Sequence, residues 1–209
     1  MKIFIGADHR GFELKGKIIL ELLSSMGNEY IEDCGAFEFS QNDDYVDYAK
    51  KVSEKVLANE GSRGIVICGS GVGVDIVANR IKGIKCGLGF NPDQVRNARN
   101  DDDINVLALG SDFIDFDGAK RIVKSFLETP FDPAERHQRR IKKIEDLEGG
   151  DWVNSQKNTF KIFAVLGTII SLSLGFVLLF GGDTFNNTSF GAGLGLGFMS
   201  LGILGWKSK

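Results

Sequence analysis

An apolar run, Gly64-Ile65-Val66-Ile67, leads directly into Cys68-Gly69-Ser70-Gly71-Val72-Gly73, and that stretch leads into Val74 to Arg80. The run reads as a buried strand and the last segment as the first turns of a helix. A glycine-rich turn between strand and helix leaves backbone N–H groups open to a ligand at the positive end of a helix dipole. Such a turn is an anion site. Here a thiol ends the strand and a hydroxyl sits inside the turn, so chemistry can occur where the anion binds.

The same alternation runs through the first part of the chain. Strands are expected at Lys2 to Ala7, Glu29 to Cys34, Gly64 to Cys68, Lys85 to Leu88 and Ile104 to Leu109. Helices are expected over Gly11 to Met26 and Tyr45 to Asn59, where apolar residues recur at three- and four-residue steps, and from about Asp93, Asp117 and Pro133. Strands alternating with helices predict a parallel sheet covered on both faces. Ligands collect at the carboxyl edge of such a sheet. Asp8-His9, Cys68-Gly69-Ser70 and Gly110-Ser111 all follow strands and are expected to meet there.

The charge distribution changes sharply along the 209 residues. No charged residue occurs from Ile162 to Gly182, or from Thr184 to Trp206. About 20 apolar residues cross a ~30 Å hydrocarbon core. The expected organisation is an α/β domain over 1–148, a linker over 149–160 that begins at Gly149-Gly150, and a transmembrane helical hairpin over 161–206. Gly191/Gly195 and Gly193/Gly197 have the spacing of closely packed membrane helices. Lys157, Lys161, Lys207 and Lys209 flank the pair, which places both ends and the α/β domain in the cytoplasm. A buried hairpin packed on the domain is the alternative. The net charge of −3 gives no reason to expect nucleic acid. Cys34, Cys68 and Cys86 are too irregularly spaced for a metal pattern and read as reduced thiols.

Several residues are candidates for chemistry. Cys68 is either an inert buried cysteine or a thiol activated by the turn. Asp8-His9 supplies an acceptor and a group that titrates near neutrality, or a cap for the helix from Gly11. Arg136 and Arg140 share a helix face and can clamp a phosphate, or simply form a solvated basic face. Asp101-Asp102-Asp103 suggests a metal only if other ligands converge on it, and none is expected.

Residues 1 to about 147 resemble the ribose-5-phosphate isomerase type B family, which includes bacterial galactose-6-phosphate isomerase subunits. The resemblance is carried by Gly6-Ala7-Asp8-His9-Arg10-Gly11-Phe12, Asp44-Tyr45-Val46-Asp47-Tyr48-Ala49, Ile67 to Gly73 and Ala78-Asn79-Arg80. It continues in Asn105-Val106-Leu107-Ala108-Leu109-Gly110 and Arg136-His137-Gln138-Arg139-Arg140. It implies a Rossmann-like three-layer α/β/α fold with a five-stranded parallel sheet. It also implies a homodimer with shared sites, and aldose–ketose isomerisation of a sugar phosphate through a cis-enediolate, without metal or other cofactor. Cys68 is then the carbon base. Ser70 and the N–H groups of Gly69, Gly71 and Gly73 stabilise the enediolate. Asp8 holds substrate hydroxyls, and His9, Arg136 and Arg140 grip the phosphate, the arginines reaching across the dimer. Tyr45, Asp102 and His137 complete the substrate-binding set. Two positions depart from the family pattern. Asp101 replaces a ring-opening histidine, and Asp112 stands where an arginine often contacts phosphate, a negative charge expected to repel it. A carboxylate serves as a general base but is a poor acid at neutral pH. The alternative is a catalytically altered sugar-phosphate-binding module serving a membrane partner.

Overall fold

The computed structural model describes residues 1–148. Five strands form one parallel sheet: β1 (Ile3–Ala7), β2 (Ile31–Asp33), β3 (Arg63–Cys68), β4 (Cys86–Leu88) and β5 (Val106–Gly110), in the order β2-β1-β3-β5-β4. The helices between and after them are α1 (Phe12–Met26), α2 (Tyr45–Ala58), α3 (Val72–Ala78), α4 (Pro92–Asp102), α5 (Phe116–Glu128) and α6 (Glu135–Glu148). The expected α/β/α layering is therefore present. All five strands lie within a few residues of their expected positions; β2 is shorter because a 3-10 turn at Asn28–Tyr30 takes its first residues.

Side chains alternate across the pleat and divide the core in two. Ile3, Ile5, Ile65, Ile67, Leu107 and Leu109 pack against α1, α4 and α5 through Leu14, Ile18, Val95, Ile122 and Phe126. Phe4, Val66, Cys68, Val106 and Ala108 face α2 and α3 through Val52, Val56, Val74 and Ala78. Local chemistry starts the helices. Asp44 accepts from the Val46 N–H, Asn91 from the Gln94 N–H with Pro92 following, and Asp115 from the Gly118 N–H.

Two cations are buried within this frame. Lys15 donates to both carboxylate oxygens of Asp33, at 2.7 and 2.8 Å, and to the Ala36 carbonyl. Arg99, 1% exposed, ties the end of α4 to Asp103 and to the Ile104 carbonyl. A buried charge is tolerable only when paired and hydrogen-bonded in this way.

The direction of winding reverses between β1 and β3: β2 lies on one side of β1 and the remaining strands on the other. Ligands enter α/β sheets at such a switch point, above the carboxyl ends of the two strands. Asp8-His9 follows β1 and Cys68 ends β3, so both stand at that point. None of the described helices is long and apolar enough to cross a membrane. The linker expected at 149–160 and the hairpin expected at 161–206 lie outside the described residues.

Candidate active site

The Cys68–Gly73 turn is closed tightly against the end of β5. Cys68 pairs with Gly110 in the sheet. A Cβ on Gly110 would stand 2.6 Å from the Ser70 carbonyl oxygen, so only glycine fits. Gly71 has φ +77° and begins α3, the left-handed conformation that glycine adopts without strain. The Ser111 N–H donates to the Cys68 carbonyl at 3.0 Å, and the Asp112 N–H to the Gly69 carbonyl at 3.0 Å.

Cys68 is 5% exposed and packs with Val74 on the α2/α3 side. The Gly71 N–H donates to its sulfur at 3.2 Å. That N–H was expected among the enediolate donors. Its geometry assigns it to the sulfur instead. Ser70 is exposed, and its hydroxyl lies 3.3 Å from the Val72 N–H. The Tyr45 ring lies on Gly73, where a Cβ would come within 2.8 Å of it. Asp75, next to Val74, is turned away to the Asn79 amide and Cys86, so no α3 carboxylate stands in for Cys68.

On the β1 side, Asp8 is 4% exposed, and one oxygen accepts from both the Arg10 and Gly11 N–H groups at 3.0 Å. It closes the turn that leads into α1, whose own N-cap is Gly11 without a side-chain cap, and it follows the carboxyl end of β1. Burial pushes the Asp8 carboxyl above its ordinary range, against the hydrogen bonds that favour the charged form. His9 is held by a residue that sequence reasoning passed over. Asp43 Oδ1 lies 2.6 Å from His9 Nδ1 and 3.0 Å from the His9 N–H. With Nδ1–H donated to this carboxylate, Nε2 is the nitrogen left for a ligand.

The remaining predicted residues form a second group. α4 runs back from the carboxyl edge, so Asp101 and Asp102 lie at the opposite edge, just before β5. His137 is fully buried there. Its Nδ1 lies 3.0 Å from the Asp132 carbonyl, and its Nε2 accepts from Arg136 Nε at 2.8 Å. The ring thus orients Arg136 and has no face open to substrate. Asp101 Oδ1 lies 3.5 Å from His137 Nε2. The Asn100 amide holds the Asp101 carboxyl below its usual range, with His137, Arg136 and Arg140 adding to the effect. Asp101 is therefore held in its charged form. Asp103 turns to Lys85 and Arg99, so the acidic triplet diverges; among the described residues no His, Cys, Asp and Glu group could hold a metal. Within one chain, Asp101, Asp102, Arg136, His137 and Arg140 are not brought to Cys68.

The Asp112 charge is met by a cation: Arg10 Nη2 pairs with Asp112 Oδ2. The expected repulsion from an uncompensated carboxylate is thus answered by a residue 102 positions earlier.

A fold of this kind, with a thiol and a buried acid at its switch point, defines an α/β enzyme acting on a small anionic substrate. Comparison with known proteins narrows the class. The family model described as Ribose/Galactose Isomerase matches residues 3–144. The putative sugar phosphate isomerase YwlF of Bacillus subtilis is 42% identical over 151 residues, covering 71% of this chain and 97% of its own. A probable ribose-5-phosphate isomerase B of Mycoplasma genitalium is 43% identical over 143 residues, covering 68% and 92%. Among solved structures, a ribose 5-phosphate isomerase from Thermotoga maritima matches with a TM-score of 0.65 at 44% identity, over 69% of this chain and 97% of that one. Ribose-5-phosphate isomerase B from Mycoplasma genitalium with bound ribulose-5-phosphate matches with a TM-score of 0.67 at 41% identity, over 71% and 96%. The chain belongs to the ribose/galactose isomerase family and is a sugar-phosphate isomerase.

The buried Asp8 carboxyl has a stability consequence with a definite sign. A group whose pKa rises on folding contributes stability that is full below its unfolded value and is lost as pH rises through the folded value. Asp8→Asn keeps an oxygen for the two N–H groups and removes the ionisation. It is expected to raise the urea midpoint at pH 7, with the gain shrinking as pH falls into the ordinary carboxylate range. Equal midpoints at pH 7 would show that burial of Asp8 carries no cost.

Proposed function

We propose that this chain interconverts ribose 5-phosphate and ribulose 5-phosphate, with Cys68 as the carbon base. The observation that carries the reading is the buried Cys68 thiol accepting the Gly71 N–H, at the end of a strand paired with the one that leads into Asp8 and His9. The names of the relatives and the ribulose-5-phosphate in the Mycoplasma genitalium structure support the substrate. In the forward direction the thiolate takes the proton from C2 of the open-chain aldose. Electrons move into the C1 carbonyl to give the cis-enediolate, the proton of the C2 hydroxyl passes to O1, and the thiol returns its proton to C1 as the C2 carbonyl forms. Ser70 and the N–H groups of Gly69 and Gly73 steady the developing oxygen charge. Asp8 holds sugar hydroxyls, and His9 turns Nε2 to the phosphate. Tyr45 walls the site at Gly73.

Arg136, Arg140, Asp101 and Asp102 act, in this reading, from a second copy of the chain. Their position at the far edge of the same sheet favours a dimer in which each site takes residues from both subunits. Asp101 then serves as the base that takes the anomeric hydroxyl proton during ring opening. His137 acts through Arg136. The uncharged stretches within 161–206 support a membrane hairpin that tethers the domain on the cytoplasmic side.

Three measurements test these statements. Proton NMR of a phosphosugar panel in heavy water is expected to show turnover and exchange of the transferred proton. Cys68→Ala should reduce both by about 10²–10⁴-fold, the usual contribution of a positioned acid–base group. Binding without turnover would move the reading to a sugar-phosphate sensor. Mixing inactive Cys68→Ala and Arg136→Ala/Arg140→Ala chains should restore about a quarter of wild-type activity, because half the dimers carry one intact shared site. No recovery after subunit exchange would place each site within one chain. The full chain should need detergent to stay dispersed and residues 1–148 should not; a full chain dispersed without detergent would end the membrane reading.

A further inference from the structure

Arg10 occupies a position that the mechanism above leaves unused. Its backbone is fixed at both ends: its N–H donates to Asp8 Oδ1 at 3.0 Å, and its carbonyl accepts the Ser111 hydroxyl at 2.9 Å. The side chain lies across the anion turn. A Cβ added to Gly69 would stand 2.5 Å from Arg10 Nε and 2.6 Å from Cζ, so the guanidinium covers that glycine closely. At its outer end Arg10 Nη2 meets Asp112 Oδ2. Asp112 is itself fixed, because its N–H is bonded to the Gly69 carbonyl. The guanidinium is thus held over the turn from the β1 side and the β5 side.

As a stabilising contact the pair has little value. The Arg10 side chain is 56% exposed and that of Asp112 is 35% exposed, and surface ion pairs contribute little to folding. As a binding group it is well prepared. A guanidinium offers five N–H donors in a rigid fork, and Asp112 engages only one end. The charge around the turn favours a further cation. Asp8, Asp43 and Asp112 all stand near the site, and Lys15 is committed to Asp33. A phosphate dianion approaching this edge from within one chain meets three carboxylates, and a cation at the mouth offsets them.

We propose that Arg10 is a phosphate-binding residue, held over Gly69 by Asp112, and that its ligand is the phosphomonoester of the substrate. The proposal rests on the sugar-phosphate reading above and names a further binding group for it. Asp112 is then a positioning residue, and the two side chains work as one unit.

The test uses the full chain and four forms: wild type, Arg10→Ala, Asp112→Ala and the double variant Arg10→Ala/Asp112→Arg. Steady-state rates with ribose 5-phosphate give kcat and KM, and inorganic phosphate serves as a competitive probe. Loss of a charge-assisted contact is expected to raise KM and the phosphate inhibition constant together in Arg10→Ala, by about ten- to a hundredfold, with a smaller change in kcat. Asp112→Ala should raise both constants less, since the cation remains but is no longer held. The double variant returns a guanidinium from the opposite end of the pair, and both constants should recover. Unchanged constants in Arg10→Ala would overturn the proposal. A double variant as impaired as Arg10→Ala would also overturn it, and would leave the pair as a strap between loops. Equal urea midpoints for the four forms will separate binding from unfolding. If the wild type turns over no phosphosugar, the isomerisation reading fails. Titration of inorganic phosphate by NMR, lost in Arg10→Ala, still decides the role of Arg10.

Discussion

The junction of β3 with β5 is the contact on which the site depends. Parallel pairing brings Cys68 opposite Gly110, and the chain beyond each strand must turn in the same small space. Gly110 has no room for a side chain against the Ser70 carbonyl, and Gly71 takes a left-handed conformation to begin α3. Those two requirements push the thiol inward and turn the Gly71 N–H onto it. They also bring Ser111 and Asp112 onto the carbonyls of Cys68 and Gly69. A side chain at either glycine would therefore disturb the sulfur, its donor and the closing loop together.

Acidic residues around an anion site would ordinarily weaken it. Here each is committed. Asp8 accepts two backbone N–H groups, Asp43 holds the His9 ring, and Asp112 holds Arg10. At the far edge Asp101 accepts from Asn100 and lies beside the Arg136–His137 pair. The carboxylates thus fix where donors and cations point. A fixed donor meets a developing charge without reorganising, which is the form of stabilisation that lowers barriers.

How much of this was legible in the sequence varies with the range of the contacts. Periodicity and the apolar runs located the strands, because each strand announces itself through adjacent residues. The Cys68 turn was legible for the same reason: strand, glycines and helix are contiguous. His9–Asp43 and Arg10–Asp112 were not, since their members lie 34 and 102 residues apart and no local pattern pairs them. Lys15 did leave a signal. It adjoins Leu14 and precedes Ile18 by three on the buried face of α1, a place where a cation needs a partner. His137 carried no such mark; its charged neighbours suggested exposure, and the packing of α6 on α4 together with Phe131 and Asp132 of the preceding loop buries it.

The strand order has a consequence for the order of assembly. β5 lies between β3 and β4, although β4 comes first in the chain. During synthesis β1, β2 and β3 can pair as they emerge, while β4 finds no neighbour until α4 and β5 have followed it. Such non-local pairing is slow, and it leaves a strand edge open in the meantime. Gly110, Ser111 and Asp112 arrive with that last strand. A nascent chain ending before them would already carry Cys68 but not the loop that encloses it. Enclosure of the thiol and completion of the sheet are therefore one event in folding, and a chain that halts between β4 and β5 leaves both undone.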